Sequence, residues 1–287
     1  MISVFSRSFK LVKESFGVLK KDKEILLFPL LGGILTIILF VTFIVSAMFF
    51  GLFSFLLTER PLSAYLLIGL IFLLFFSLSF VSIFTQAGLV TCAYIRLTGG
   101  DPKFSDGLSN ASKHIKQIFL WALISATIGF LLSLLSSRRR KGVNVIGINI
   151  TRNILGGAWS ILTTFVVPLM IIEGKGIREA LKSSAYLLKK AWGELIVGSI
   201  SLNLILVLIF VPILAIPILC LYFLGFHWIW IIILGISFIF LVLTSSSLNG
   251  IFKTALYVYA SSGKVPLGFS EELIKNAFVV KTPRGII

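Results

Sequence analysis

Five stretches of the sequence lack Asp, Glu, Lys and Arg, and their lengths constrain the fold more than any other feature. They cover residues 25–58, 62–95, 117–137, 153–172 and 195–252. A helix needs about 20 predominantly apolar residues to cross a bilayer, so each of the first four stretches predicts one crossing. The fifth would form about 87 Å of helix at 1.5 Å per residue, which predicts two crossings.

The composition agrees with a membrane protein. Hydrophobic residues make up 57% of the chain and charged residues only 13%, whereas soluble domains carry about 25% charged residues. Because irregular backbone and open sheets cannot face lipid, the apolar stretches are predicted to be helices. The fold class is therefore all-α integral membrane, with six transmembrane helices as three hairpins and interspersed cytoplasmic amphipathic helices.

Two features divide and bend the last apolar stretch. Residues 224–228, which include Gly225, predict the turn between the fifth and sixth helices. Pro212 and Pro217 predict a kink or an unwound patch in the fifth helix, because proline removes a backbone hydrogen bond.

The basic residues predict the orientation. Twenty of the 26 Lys and Arg residues lie before the first, after the second, after the fourth and after the sixth helix. Lys253 is counted after the sixth helix, and no charged residue falls within a predicted span. The positive-inside rule then predicts a multi-pass plasma membrane protein with both termini in the cytoplasm. The cluster from Arg138 to Lys141 lies on the predicted outer side and does not fit this rule.

The formal net charge of +15 must lie outside the bilayer. At a cytoplasmic leaflet each Lys or Arg gains about 1 kcal/mol of attraction to anionic lipid. Nucleic acid is excluded as a partner, since the sequence does not interleave the cations with exposed aromatic residues. The expected partner is the lipid bilayer, with anionic lipids on the cytoplasmic face, and a membrane protein partner is a further possibility.

Apolar residues recur every three or four positions between the spans, which lines one face of a helix. The series are Phe5, Phe9, Val12, Phe16 and Leu19; Phe104, Leu108, Ala111, Ile115 and Ile118; Ile177, Leu181, Ser184, Leu188 and Ala191; and, in part, Phe269 and Leu273. We interpret the chain as a single membrane domain of repeat-like units, about 1–108, 109–181 and 182–273, with a C-terminal cytoplasmic tail at 263–287. These segments either lie on the anionic leaflet or continue into the spans and pack beneath them.

No residue pattern predicts catalysis, a metal or a cofactor. Cys92, Cys220, His114 and His227 are far apart, whereas metal sites need clustered donors. The absence of charge from the predicted spans argues against a proton relay or an intramembrane protease. We therefore expect a non-enzymatic protein with no catalytic residue, no metal and no cofactor.

Mild polarity remains within the spans. Ser79, Ser82 and Gln86 share one face of the second helix, and Asn203 lies in the fifth. Small residues also repeat every four positions, at Ser125, Gly129 and Ser133 in the third helix and at Gly156, Ser160 and Thr164 in the fourth. These positions favour helix packing, and the alternative is that some of them line a cavity.

Two interfacial acids are the other candidates. Glu173 closes the fourth helix and Glu194 opens the fifth. Their simplest role is ion pairing at helix ends. The alternative is a lipid-headgroup contact, with the phosphate bound by cations and an aromatic side chain at the interface, namely Arg178, Lys189, Lys190 and Trp192.

An ordered series of short segments is similar to a known family. The segments are Gly100-Asp101-Pro102, Asp106-Gly107-Leu108, Trp121-Ala122-Leu123, Ala158-Trp159-Ser160, Glu179-Ala180-Leu181 and Trp192-Gly193-Glu194. Together they resemble an uncharacterised family of prokaryotic polytopic membrane proteins, and this resemblance implies a fold but no activity. The function we expect is that of a non-enzymatic membrane- or lipid-associated or accessory protein. The alternative is a transporter or facilitator of an apolar or lipid-like solute.

A cysteine introduced at Ser137 tests the predicted orientation. Because Ser137 ends the third helix on the predicted outer side, a membrane-impermeant maleimide should label the Ser137→Cys variant in intact cells. The unsubstituted protein is the control, since both of its cysteines lie in apolar stretches. Labelling of the variant only after the cells are permeabilised would contradict this orientation.

Overall fold

The computed structural model describes the backbone of residues 2–56, 60–137, 145–223 and 227–270. Side chains are described for residues 9–49, 51, 65–134, 154–189, 204–223 and 227–270. No described residue belongs to a strand, and most are helical. In chain order the described helices are α1 (Ile2–Lys21), α2 (Leu27–Leu56), α3 (Arg60–Leu97), α4 (Phe104–Lys113), α5 (Ile115–Ser137), α6 (Val145–Leu162), α7 (Val166–Ile172), α8 (Ile177–Phe223) and α9 (Trp228–Ser262), with a 3₁₀ turn at Lys23–Leu26.

Six segments of the described chain are helical, long and apolar enough to cross a membrane. They are Lys23–Phe49, Tyr65–Leu97, Ile115–Leu134, Ile154–Ile172, Leu204–Phe223 and Trp228–Ser262. A helix satisfies the hydrogen-bonding groups of its own backbone, which is what a lipid environment requires. The prediction of an all-α membrane protein with six spans is confirmed.

The fifth and sixth spans differ in one respect from the sequence prediction. α8 ends at Phe223 and α9 begins at Trp228, so two helices form the last apolar stretch, as predicted. Residues 224–226 of the predicted turn lie outside the described residues. α8 is continuous through Pro212 and Pro217, however, so the predicted unwound patch is wrong, whereas the alternative of a kink stays a prediction. Each proline removes only one hydrogen bond, and the helix continues because its backbone has no water to bond with instead.

α3 is the central helix and contacts α2, α4, α5, α7 and α9. Its buried side chains lie between Ile83 and Leu97, and those of α9 lie between Thr244 and Val258. α1 packs on α8 and α9, α4 packs on α3, and α7 packs on α3 and α8. We call this region the packed base, meaning α1, α4, α7 and the adjoining parts of α3, α8 and α9.

Outside the packed base the helices expose apolar side chains. Ile37 and Met48 of α2 are 65% and 71% exposed, and Tyr222 of α8 and Ile236 of α9 are also exposed. Large apolar side chains exposed in such numbers are unfavourable in water and ordinary in contact with lipid. The packed base thus holds the buried hydrophobic core of the protein, and the apolar parts of the helices outside it are suited to face lipid.

α1 packs against the spans instead of lying apart from them. Val12, Val18 and Leu19 are buried in the hydrophobic core. Phe9 and Phe16, two members of the predicted apolar stripe, are about half exposed. Of the two alternatives, packing against the spans therefore holds for the side of α1 that carries Val12, Val18 and Leu19. Phe9 and Phe16 lie at the edge of this buried side.

Charged side chains join the start of the first span to the end of the second. Arg96, near the end of α3, donates hydrogen bonds from Nε and Nη2 to the carboxylate of Asp22, whose side chain is buried. The same Nη2 donates to Asp101 Oδ1 at 2.6 Å. Glu24 accepts a hydrogen bond from the backbone N–H of Phe104 at the start of α4. These contacts hold the 3₁₀ turn and α4 against the same end of α3.

Gly107 allows α4 to approach α3 closely. A Cβ atom at this position would lie 2.4 Å from Cζ of Phe28 and 2.6 Å from the carbonyl oxygen of Gly88. Because the backbone of α3 cannot yield, we expect Gly107→Ala to destabilise the fold by about 1 to 3 kcal/mol. Thermal unfolding in detergent measures this as a lower Tm.

The matched control for Gly107→Ala is Gly157→Ala in α6. A Cβ atom on Gly157 would meet nothing within 4 Å, so this variant should unfold at the wild-type Tm or slightly above it. Equal Tm values for the two variants would contradict the close contact between α4 and α3.

Candidate functional site

A cavity of about 420 Å³ lies between α3, α5, α9 and the segment that joins α6 to α7. Part of its wall is apolar and includes Phe75 and Leu78 of α3 and Trp121 of α5. Trp121 also stacks on Trp159 of α6, with the ring centroids 5.9 Å apart. We call this space the polar cavity because the rest of its wall consists of Ser79, Ser82, Gln86, Ser125, Ser160, Thr163, Thr164 and Lys253.

The structure brings together three of the four polar residues singled out within the spans. Ser79, Ser82 and Gln86 occupy one face of α3 and line the polar cavity. The side chain of Asn203 lies outside those that the structure describes.

The small residues of the third and fourth spans fall into two groups. Gly129 lies against Phe75, with 3.8 Å from its Cβ position to Cδ1, and Gly156 lies in similar contact with Leu132. Ser125 and Ser160 line the polar cavity instead. Helix packing and cavity lining, the two alternatives from the sequence, thus both occur along the same stripes.

The fourth span is interrupted next to the polar cavity. α6 ends at Leu162 and α7 begins at Val166, with a turn at Thr163, Thr164 and Phe165. Pro168 has no backbone N–H, so it cannot bond to the carbonyl of Thr164 four residues earlier. Irregular backbone at membrane depth is tolerated where it is buried in protein or lines a cavity, and two residues of this turn do line one.

Hydroxyl groups satisfy carbonyls around this interruption. Thr163 Oγ1 donates to the Trp159 carbonyl at 2.8 Å, and Thr164 Oγ1 donates to the Ser160 carbonyl at 3.0 Å. Ser184 of α8 is fully buried, and its Oγ donates to the Leu162 carbonyl at 2.6 Å. The polar member of the third apolar series therefore caps the end of α6.

Lys253 corrects two expectations. α9 continues past this residue to Ser262, where Gly263 ends the helix with a φ of 69°. Lys253 therefore lies within the segment Trp228–Ser262 and not in a tail, so the statement that no span carries a charged residue is wrong. A boundary placed at the first charge is unreliable, because the uncharged residues 254–263 that follow Lys253 continue the apolar pattern.

The Lys253 side chain is partly buried and lines the polar cavity, between neighbours that are fully buried in α9. Its ammonium group forms no ion pair with any carboxylate that the structure describes. Sequence reasoning also missed Thr163, and Pro168, five residues later, was the signal that could have indicated the turn.

Glu173 forms a second polar cluster, beside the packed base. Its carboxylate accepts a hydrogen bond from Tyr257 Oη and lies 2.8 Å from Lys175 Nζ, which also donates to Ser183 Oγ. Burial opposes ionisation of Glu173, but the bonds from Lys175 and Tyr257 outweigh it and hold the pKa of Glu173 below its usual value. This arrangement matches the simpler role, an ion pair at a helix end.

The proposed headgroup residues are described only in part. Arg178 and Lys189 are exposed and lie 11 residues apart on α8, about three helical turns, so they share one face. Ala180 and Ser184 are buried on the opposite side of the helix. The side chains of Lys190, Trp192 and Glu194 lie outside those described.

Replacing Glu173 by Gln should make stability depend less on pH. Since the pKa of Glu173 is lower in the folded state than in the unfolded state, its charge stabilises the fold at neutral pH, and this contribution disappears as the pH falls through the depressed pKa. We expect wild type to be more stable than Glu173→Gln by about 1 kcal/mol or less at neutral pH. Their Tm values should converge in acid.

Glu179→Gln is the matched control, because Glu179 is an exposed carboxylate in the first turn of α8. Tyr257→Phe should lower the Tm more when it is made in wild type than when it is made in Glu173→Gln. In wild type the Tyr257 hydroxyl bonds to a charged carboxylate, whereas in Glu173→Gln its acceptor is neutral and the bond is weaker. A constant Tm difference between wild type and Glu173→Gln at every pH would contradict the pairing.

Comparison with known proteins places the chain in a family without assigning an activity. No curated protein matches the sequence. One family model matches residues 63–268, from the start of α3 to just beyond α9, and this range includes every residue named in the wall of the polar cavity. The match covers more than two thirds of the chain and confirms the resemblance to an uncharacterised family. The chain belongs to the family of unknown function DUF6159.

Proposed function

We propose that this protein is a non-enzymatic, lipid-associated membrane protein whose polar cavity receives the polar group of a membrane amphiphile. One observation carries the proposal. The side chains of Ser79, Ser82, Gln86, Ser125 and Ser160 line the cavity and form no hydrogen bond with another described protein group.

Unpaired polar groups are costly where lipid replaces water, so such a cluster needs a partner. The hydroxyls can donate and accept hydrogen bonds, and Gln86 offers two donors and an acceptor. The cavity volume of about 420 Å³ lies at the lower end of the 300 to 1,000 Å³ typical of ligand pockets. A head group fits such a volume, and the apolar faces outside the packed base can contact its chains.

The geometry favours binding over nucleophilic catalysis. A serine nucleophile needs a base within hydrogen-bond distance, and Lys253 is the one candidate base in the described wall. None of the described serine hydroxyls lies within hydrogen-bond distance of Lys253 Nζ. The wall therefore supplies hydrogen bonds and a charge without an assembled Ser–Lys pair.

A transporter or facilitator of a lipid-like solute is the second candidate function. The turn at Thr163, Thr164 and Phe165 favours it, because transporters place interrupted helices beside substrate sites. If this protein moves a solute, the moving part is the junction of α6 and α7 and not the prolines of α8, which lie in a continuous helix.

The proposed setting is the plasma membrane, with both termini in the cytoplasm. The exposed face of α8 that carries Arg178, Lys182 and Lys189 then lies on the cytoplasmic side. In that orientation it meets the anionic lipids of the inner leaflet. A second membrane protein is the other partner proposed for this protein.

Filling the polar cavity should remove bound lipid. Ser125→Leu combined with Ser160→Leu adds two apolar side chains to its wall and removes two hydroxyls. We expect lipid that co-purifies with the protein to fall by about tenfold, which corresponds to 1.4 kcal/mol. Native mass spectrometry of detergent-purified protein measures the lipid retained per chain.

Thr127→Leu on α5 is the matched control, because Thr127 is exposed and does not line the polar cavity. It should retain lipid as wild type does. Size-exclusion profiles and Tm values must show that all variants are folded. A folded double variant that retains as much lipid as Thr127→Leu would overturn the proposed function.

A further inference from the structure

Lys253 places a positive charge in the wall of the polar cavity. It is the only charged side chain among the described residues that line this space. It lies on α9 between Phe252 and Thr254, both of which are buried, so the helix backbone at this point is held inside the protein. The ammonium group thus occupies a fixed wall and not a mobile tail.

The protein supplies no described counter-ion for this ammonium group. Tyr257 lies one turn after Lys253 on α9, and its hydroxyl donates a hydrogen bond to Glu173. Lys175 already pairs with Glu173. Asp22 and Asp101 both pair with Arg96 at the far end of α3.

Lys253 lies within the segment Trp228–Ser262, which is long and apolar enough to cross a membrane. Charged residues within membrane spans are expensive unless they are paired, and they usually mark a ligand pathway or site. From the charge, the unpaired hydroxyls and the apolar surroundings together, we infer that the polar cavity selects an anionic amphiphile, with Lys253 as the counter-ion of its phosphate or carboxylate. This inference rests on the proposed function and adds the charge of the ligand to it.

The remaining wall fits such a head group. Phosphate and carboxylate oxygens accept hydrogen bonds, and Ser79, Ser82 and Gln86 present donors from one face of α3. Lys binds phosphate as a point charge with three rotatable donors. Phe75 and Leu78 lie on the same helix and offer apolar contact to the adjoining chain.

The test compares lipid selectivity of wild type, Lys253→Gln and Lys253→Arg. The proteins are reconstituted in nanodiscs of phosphatidylglycerol or phosphatidylcholine, extracted in detergent, and examined by native mass spectrometry. We expect wild type to retain phosphatidylglycerol about tenfold better than phosphatidylcholine, as a charged hydrogen bond implies. Lys253→Gln should lose this preference, and Lys253→Arg should keep it.

Lys116→Gln is the control for loss of one positive charge, because Lys116 is exposed at the start of α5 and lies outside the cavity wall. It should retain the wild-type preference. Inorganic phosphate is added in a parallel titration. Displacement of phosphatidylglycerol by inorganic phosphate would assign the site to a soluble anion and overturn the lipid assignment. Retention of phosphatidylglycerol in the presence of phosphate supports a lipid head group.

The failures can be told apart. Equal retention of both lipids by wild type, with loss of both in the Ser125→Leu and Ser160→Leu double variant, overturns the role of Lys253 and leaves the proposed function standing. Unchanged retention in that double variant overturns both. If Lys253→Gln does not fold, wild type and Lys253→Arg still test the inference. Equal retention of phosphatidylglycerol and phosphatidylcholine by each of these two proteins would contradict selection of an anionic lipid.

Discussion

In a bilayer every backbone N–H and C=O group needs a partner within the protein, and this requirement shapes the rest of the structure. It keeps α8 helical through Pro212 and Pro217. It permits an interruption of the fourth span only where side chains satisfy the freed groups, as Ser184 does for the Leu162 carbonyl. The polar cavity lies beside that interruption.

α3 connects the packed base to the polar cavity. Between Ile83 and Leu97 it is buried by α4, α7 and α9, and its Gly88 and the Gly107 of α4 allow backbone contact. In the turn just before this stretch, the same helix presents Ser79 and Ser82 to the cavity. Because one rigid helix serves both regions, close packing in the base determines where the cavity wall lies.

The sequence predicted the spans well because apolar length and the absence of charge have one physical meaning in a bilayer. It also predicted the shared face of Ser79, Ser82 and Gln86, since helical spacing alone decides that. It missed the position of Lys253, because a charge was treated as the end of a helix. Which helix faces meet, and which carbonyl Ser184 reaches, depends on tertiary packing that no local pattern encodes.

The positive charge of the polar cavity follows from how the nearby acid is used. Lys253 and Tyr257 lie four residues apart on α9, so they occupy neighbouring positions on one face of the helix. Tyr257 donates to Glu173, and Lys175 pairs with the same carboxylate, so the negative charge of Glu173 is compensated beside the packed base. Because Glu173 is held in this way, its carboxylate is unavailable to Lys253. Lys175 is paired with Glu173 and Lys253 is not, so Lys253 gives the described cavity wall a net positive charge. An anionic head group would complete the pairing that the described protein groups leave open.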